Sequence, residues 1–288
     1  SKMLFACPAL KEGHVTIAYG TKSINGLAFY SCVNMTGVTI PDTVTKIGGS
    51  AFSCSSLTYI WIPSSVIDIV GSTFSSCHQL TEIEVSRDNP VYGSVDGILY
   101  KDNMETLFMA PPGKGGHITI PDGVKTIYGS AFYVNHVLTG VTFPDSLTAI
   151  NSSAFWKCTA LTDVIIPANV TEIGNYAFGD CGLLEYIIFL GNGMEQSYGP
   201  IPVDKTIYYL EGNTGFESWR NTHKIPVSSP DNVTVAYFYN NSSELKFSWN
   251  YPANHVRAIT SYTLSYREAG TDDRSEEHTS ELQSHHDL

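Results

Sequence analysis

Short runs of alternating apolar and polar residues recur along the first two-thirds of the chain, and most end in proline. Leu161 to Cys181 shows the unit: Val164-Ile165-Ile166-Pro167, then Val170 and Ile173-Gly174, then Ala177-Phe178, then Cys181. Leu57 to Cys77 is a near-copy. Period-two alternation over four residues predicts a short strand with one face buried. The inward pairs are Val15/Ile17, Val38/Ile40, Ile60/Ile62, Ile83/Val85, Ile118/Ile120, Val141/Phe143, Val164/Ile166 and Ile187/Phe189. Proline lacks the amide proton a ladder needs, so it ends each strand. A second side follows, with inward pairs such as Val44/Ile47, Val66/Ile69, Val124/Ile127 and Val170/Ile173, and Ala-Phe plugs the interior. Gly48 and Gly174, with Asn151 in the same slot, are expected to let the chain turn the next corner through positive φ.

The phenylalanines set the register. Phe5, Phe29, Phe52, Phe74, Phe132, Phe155 and Phe178 are spaced by 24, 23, 22, 58, 23 and 23 residues. A period near 23 is the signature of a solenoid, in which one repeat cannot bury its own apolar face and stacking makes a continuous core. The step of 58 is one repeat plus 35 residues. The extra length lies in residues 86–116, where Gly97 to Tyr100 and Thr106 to Met109 alternate around Asp102-Asn103, which predicts a β-hairpin. That hairpin either adds strands to a decorated rung or projects as a binding loop.

The consensus Leu-Thr-x-Ile-x-Ile-Pro-x-x-Val-Thr-x-Ile-Gly-x-x-Ala-Phe-x-x-Cys resembles the BspA-type leucine-rich repeat, found mostly in bacterial surface proteins. The insertion, with Asp88-Asn89-Pro90, Ser94 to Tyr100 and Pro112-Gly113-Lys114, is similar to the hairpin unit of the same family. Thr73 in place of Ala, Asn135 in place of Cys and the loss of pattern from Gly193 are departures. The resemblance implies surface binding, not a reaction. Residues 1–190 are therefore expected to form the solenoid and residues 191–225 a cap and linker, with Tyr208, Phe216 and Trp219 as plugs for the last open rung. Beyond them, strands are expected at Val233 to Ala236, Leu245 to Trp249 and Ile259 to Arg267, with Trp249 in a core. This order resembles the first half of a fibronectin type III domain over residues 226–273, a partial β-sandwich. Residues 274–288, beginning Arg-Ser-Glu-Glu-His-Thr-Ser-Glu-Leu, resemble the translation of a common short-read sequencing adapter and are expected to be non-native. The chain starts inside a repeat-like segment at Leu4 to Cys7, which leads us to expect further residues upstream. The fold class is thus all-β: a solenoid with a hairpin insertion, then a partial sandwich.

Composition narrows the function. The formal net charge is -12 with only 16 Lys and Arg, so nucleic acid is not an expected partner. No apolar run is long enough to span a bilayer as a helix. Cys32, Cys54 and Cys77, and Cys158 and Cys181, follow the repeat period, so they are expected as buried thiols rather than a disulfide framework. There is no Cys-x-x-Cys or Cys/His pairing for a metal, no Gly-x-Ser-x-Gly, and no phosphate or calcium loop. No catalytic residue, metal site or cofactor is expected.

Outward residues of the repeat strands line one sheet surface, the surface that solenoids use for binding. The candidate ligand-binding residues on it are Tyr59, Trp61, Glu82, Glu84, His117, Asp163 and Tyr186. Tyr59 and Trp61 lead, because large amphipathic side chains dominate interfaces. The expected function is a non-catalytic cell-surface or secreted binding or adhesion protein with protein or glycoprotein partners. The alternative is a binding or spacer region of a larger secreted enzyme, such as a glycan-degrading hydrolase.

Overall fold

The computed structural model describes residues 2–4, 12–53, 55–193, 199, 201–202, 204–210, 212–216, 223–227, 234–241 and 244–250. The chain divides into two compact units, Ser1–Pro226 and Val227–Leu288.

The first unit is a coil of about eight β-rungs with two strand-bearing sides and no helix among the described residues. The long-strand side carries β2 (Gly13–Thr16), β4 (Met35–Thr39), β6 (Tyr59–Ile62), β8 (Glu82–Val85), β12 (Gly116–Thr119), β14 (Leu138–Thr142), β16 (Asp163–Ile166) and β18 (Tyr186–Phe189). It closes with β19 (Thr206–Leu210) and β20 (His223–Val227). The short-strand side carries β1 (Lys2–Leu4), β3 (Thr21–Ile24), β5 (Lys46–Ile47), β7 (Asp68–Ile69), β13 (Thr126–Ile127), β15 (Ala149–Ile150) and β17 (Glu172–Ile173). On the short-strand side β1-β3-β5-β7 and β13-β15-β17 pair in parallel in order, and on the long-strand side rungs pair in successive parallel sheets, for example Tyr59 with Glu82 and Ile60 with Ile83. Every inward residue expected from the alternation is buried, on both sides of the coil. The phenylalanines stack up the axis: Phe29, Phe52 and Phe74 at 5.0 and 5.6 Å between ring centroids, then Phe132, Phe155 and Phe178 at 4.7 and 5.2 Å.

Residues 86–116 form a three-stranded antiparallel meander, β9 (Tyr92–Val95), β10 (Ile98–Lys101) and β11 (Thr106–Met109). Asp102, Asn103 and Met104 all take positive φ at the expected turn. The strand β9 was not foreseen. Its turn to β10 is Asp96-Gly97, both at positive φ, a two-residue hairpin connection. The meander does not project. Strand β11 pairs in parallel with β13, so it continues the short-strand sheet. Ile98, Leu99 and Tyr100 are consecutive and all buried, so β10 is covered on both faces. Leu99 belongs to a core with Phe29, Phe52 and Phe74, whereas Ile98, Tyr100 and Leu107 belong to a second core with Phe132, Phe155 and Phe178. A bulge in the β10–β11 register, where Phe108 is the extra residue, lets Phe108 and Met109 both join the first core. The meander is a wall between the two phenylalanine stacks.

The corners differ from expectation. Gly48, Gly174 and Asn151 are not in left-handed backbone. A Cβ on Gly48 would run into Gly26 N, and one on Gly174 into Ser152 N, so these glycines serve close approach between rungs. Left-handed residues lie two positions before and after the core phenylalanines: Ser130 and Val134 around Phe132, Ser153 and Lys157 around Phe155, Tyr176 and Asp180 around Phe178. Val134, at φ 60, is β-branched in a region that disfavours such side chains. Val134→Asn is therefore expected to stabilise the protein by about 1 kcal/mol, read as a higher urea midpoint at unchanged m-value.

Cys32, Cys77, Cys158 and Cys181 are buried, and Cys54 lies outside the described residues. Cys77 Sγ donates to Phe52 O (2.9 Å), Cys158 Sγ to Phe132 O (3.1 Å) and Cys181 Sγ to Phe155 O (3.1 Å). Burial pushes the Cys181 thiol up to about 12 and Cys158 well above its usual value. The two departures from the repeat also have partners. Thr73 Oγ1 donates to Val70 O and Gly48 O. Asn135 Nδ2 donates to Pro111 O and Lys114 O, and its Oδ1 accepts from the Val137 and Leu138 amides. Asn135 thus ties its rung to the end of the meander.

In the second unit β21 (Thr234–Asn241) and β22 (Glu244–Asn250) form an antiparallel pair with a shift between Val235 and Tyr237. The expected third strand, the core role of Trp249, the plug at Trp219 and residues 274–288 lie outside the described residues.

Candidate functional site

The long-strand side presents its outward residues on strands paired in successive sheets, β2–β4, β6–β8, β12–β14 and β16–β18–β19–β20. Tyr59 and Trp61, two apart on β6, point the same way and are 40% and 43% exposed. Their register partners on β8 are Glu82 and Glu84. Tyr59 Oη donates to Glu84 Oε2 at 2.9 Å, a diagonal contact across the two strands. Partial burial raises the Tyr59 pKa, and the Glu84 hydrogen bond and the charges of Glu84 and Glu82 add to it, carrying it to about 12.

On the other flank of Tyr59 and Trp61 lies a groove of about 350 Å3, lined also by His14, Thr36, Gly37 and Thr39. The His14 ring lies over Gly37: a Cβ there would stand 2.5 Å from His14 Nδ1. His14 Nε2 shares a 2.7 Å hydrogen bond with Thr39 Oγ1, which fixes the ring. The same arrangement recurs in the second half of the coil. His117 lies over Gly140, and its Nε2 shares a 2.7 Å hydrogen bond with Thr142 Oγ1. The sequence carries this as Gly13-His14-Val15-Thr16-Ile17 and Gly116-His117-Ile118-Thr119-Ile120.

The structure therefore gathers four of the seven candidates, Tyr59, Trp61, Glu82 and Glu84, on two paired strands. His117 is exposed on β12, beyond the meander. Asp163 is half-buried on β16 and accepts from Thr162 Oγ1 at 2.7 Å. Tyr186 is a correction: expected on the exposed face, it is buried, as is its outward neighbour Ile188. The cause is the closing strand. Tyr208 on β19 is the register partner of Ile188, and its ring lies edge-on to Tyr186 at 5.7 Å. Tyr208 thus covers the outer face, while Phe216 fills the core against Phe189 and Tyr209. His14 escaped the sequence reading, although the repeated Gly-His-x-Thr-Ile string marks it.

Among the described residues no group of three or more His, Cys, Asp or Glu side chains is placed to hold a metal ion. The described residues contain no helix long and apolar enough to cross a membrane.

Six copies of the BspA type leucine-rich repeat region match residues 2–96 and 114–197. The chain belongs to the BspA-type leucine-rich repeat family. The interval between the two matched stretches, residues 97–113, holds β10, β11 and the return of the meander. Solved structures share the fold. A leucine-rich repeat protein from Eubacterium ventriosum is 25% identical, with TM-score 0.54 over 75% of this chain and 72% of its own. A leucine-rich cell surface protein from Faecalibacterium prausnitzii is 28% identical, with TM-score 0.52 over 76% of this chain and 60% of its own. The pneumococcal vaccine antigen PcpA, 17% identical with TM-score 0.55, covers 76% of this chain and 68% of its own and shares the fold alone. No curated protein sequence matches the chain.

Proposed function

We propose that this BspA-type repeat protein is a non-catalytic binding or adhesion module that acts outside the cell or at its surface. It recognises a protein or glycoprotein partner through the long-strand face. The observation that carries the reading is the pair Tyr59 and Trp61. Both are large and about two-fifths exposed beside an open groove, on β6, which pairs in parallel with β8 along its length. Exposed aromatics on a rigid scaffold bind at low entropic cost and act as hot spots. The cell surface designation of the Faecalibacterium prausnitzii relative supports the location. In this reading residues 1–190 bind, residues 191–225 close the coil, residues 226–273 act as a fibronectin type III-like spacer, and residues 274–288 are foreign to the protein.

The test compares the protein with its Trp61→Ala variant on immobilised mucin, collagen and serum albumin. Capture of at least one of them, weakened at least tenfold by Trp61→Ala with the melting temperature within about 2 °C, is the expected result. Capture that Trp61→Ala leaves unchanged moves the site elsewhere.

A further inference from the structure

We propose that Tyr59 and Trp61, on the side that faces the β8 carboxylates, seat an arginine side chain of the protein partner. Its guanidinium lies on the Trp61 and Tyr59 rings and pairs with the Glu82 and Glu84 carboxylates. This rests on the binding role just assigned to the same face and adds the chemistry of what enters it.

Charge points first to a cation. Two carboxylates stand on β8 directly beside the aromatic pair, and no lysine or arginine lines the groove. His14 is its one basic side chain, and its Nε2 is taken up by Thr39. Tyr59 donates its proton to Glu84 Oε2, which holds that carboxylate in place and leaves Oε1 to accept from a ligand. The upward shift of the Tyr59 phenol, after its burial, reflects the same negative surroundings that favour a positive guest. The chain is acidic, at -12 in full and -9 without residues 274–288 (one Arg, three Glu and one Asp, a net -3), which favours cationic partners.

Shape points to a planar cation. Aromatic faces attract lysine and arginine through their quadrupole, and arginine stacks as well as pairs. Two lysines among the described residues already make that contact: Lys101 Nζ stands 5.3 Å from the Phe108 and 4.5 Å from the Tyr128 ring centroid, and Lys157 Nζ 4.2 Å from that of Trp156. Tyr59 and Trp61 are exposed, and no lysine or arginine is among the residues that line the groove on their far flank.

The chain also carries its own control. The second half keeps the histidine-over-glycine unit, His117, Gly140 and Thr142. Its next strand, however, carries Asp163 and Ile165 in place of Tyr59 and Trp61, and the strand after that carries Tyr186 and Ile188 in place of the two glutamates. Those two are buried at the closing end. The aromatic pair backed by carboxylates therefore occurs in one of two otherwise parallel settings.

The experiment labels the full chain with 5-fluorotryptophan and follows the Trp61 resonance, assigned from its loss in Trp61→Phe. The probes are acetyl-Gly-Arg-Gly-amide, its citrulline counterpart, which is neutral and nearly isosteric, and maltohexaose as a neutral sugar. Saturable movement of the Trp61 signal by the arginine peptide is expected, at least fivefold weaker for the citrulline peptide, for Glu82→Gln/Glu84→Gln and at raised salt. Ile165→Ala is expected to change nothing. Equal binding of the arginine and citrulline peptides overturns the cation assignment. So does salt-independent binding of maltohexaose at Trp61 without response to the arginine peptide, which makes the guest a glycan. Both outcomes leave the binding face standing if Trp61→Ala still lowers capture of the immobilised proteins. A Trp61 signal unmoved by every probe, with capture also unchanged, overturns both readings.

Discussion

Ile166→Asp is expected to lower the stability of the repeat unit by about 3–5 kcal/mol, the range measured when a buried charge loses its partner. For a unit of this size that is a fall of about 10 °C in melting temperature. Ile166 is 1% exposed, in the core with Phe155, Phe178 and Phe189. Its backbone cannot turn the side chain outward, because β16 is pinned residue by residue to β18, with Ile166 opposite Phe189. A slip by one residue would send Val164 into solvent as well. The carboxylate must therefore remain unpaired, take a proton or open the rung. Ile165→Asp, one residue away on the outward face, provides the comparison and is expected to cost less than about 1 kcal/mol. Differential scanning calorimetry of the two variants separates the faces. Equal losses would mean that alternation does not govern this strand.

Leu99→Ala is expected to cost about 2–5 kcal/mol, the loss typical of a leucine removed from a tight core. The more telling result lies in where the loss spreads. Leu99 is fully buried in the first core, while its neighbours Ile98 and Tyr100 on the same strand are buried in the second. Asn135, held to Pro111 and Lys114, and Gly113, whose amide donates to Leu80 O at 2.8 Å, also join the meander to both halves. In a solenoid each rung contacts only its neighbours, so stability passes along the stack through interfaces. Loosening β10 weakens two interfaces at once. Native-state hydrogen exchange should show amides around Phe52 and Phe155 losing protection together. Loss confined to the rungs before the meander would make the two halves independent folding units.

Alternation and period made the rungs legible. Ile60, Ile62, Val164 and Ile166 lie inside because a two-residue period leaves one choice of face once a core exists. The same period assigns a side but not what covers it. Tyr186 is on the outward side of β18, as expected, and is buried because Tyr208, more than twenty residues later, packs over it. Local turn chemistry was legible at Asp102-Asn103 and equally present at Asp96-Gly97, where it marks a third strand. The glycines at 48 and 174 carried an ambiguous signal, since glycine permits both positive φ and close backbone approach, and only the stacking of rungs decides between them. Asn135 and Thr73 stood out as departures, and each bonds within its own rung, yet the partners that tie them to other rungs, Pro111 and Lys114 for Asn135 and Gly48 for Thr73, are invisible to local pattern. At the site, Tyr59, Trp61, Glu82 and Glu84 followed from register. His14 needed the comparison of one half of the chain with the other.

The thiols that cap the phenylalanine carbonyls have a consequence for redox chemistry. Disulfide exchange and peroxide oxidation both proceed through the thiolate. Cys158 and Cys181 are buried, their protons are committed to backbone oxygens, and burial holds both far from ionisation at neutral pH. An oxidising medium therefore meets these sulfurs only when a rung opens, and the rate of their oxidation becomes a clock for that opening.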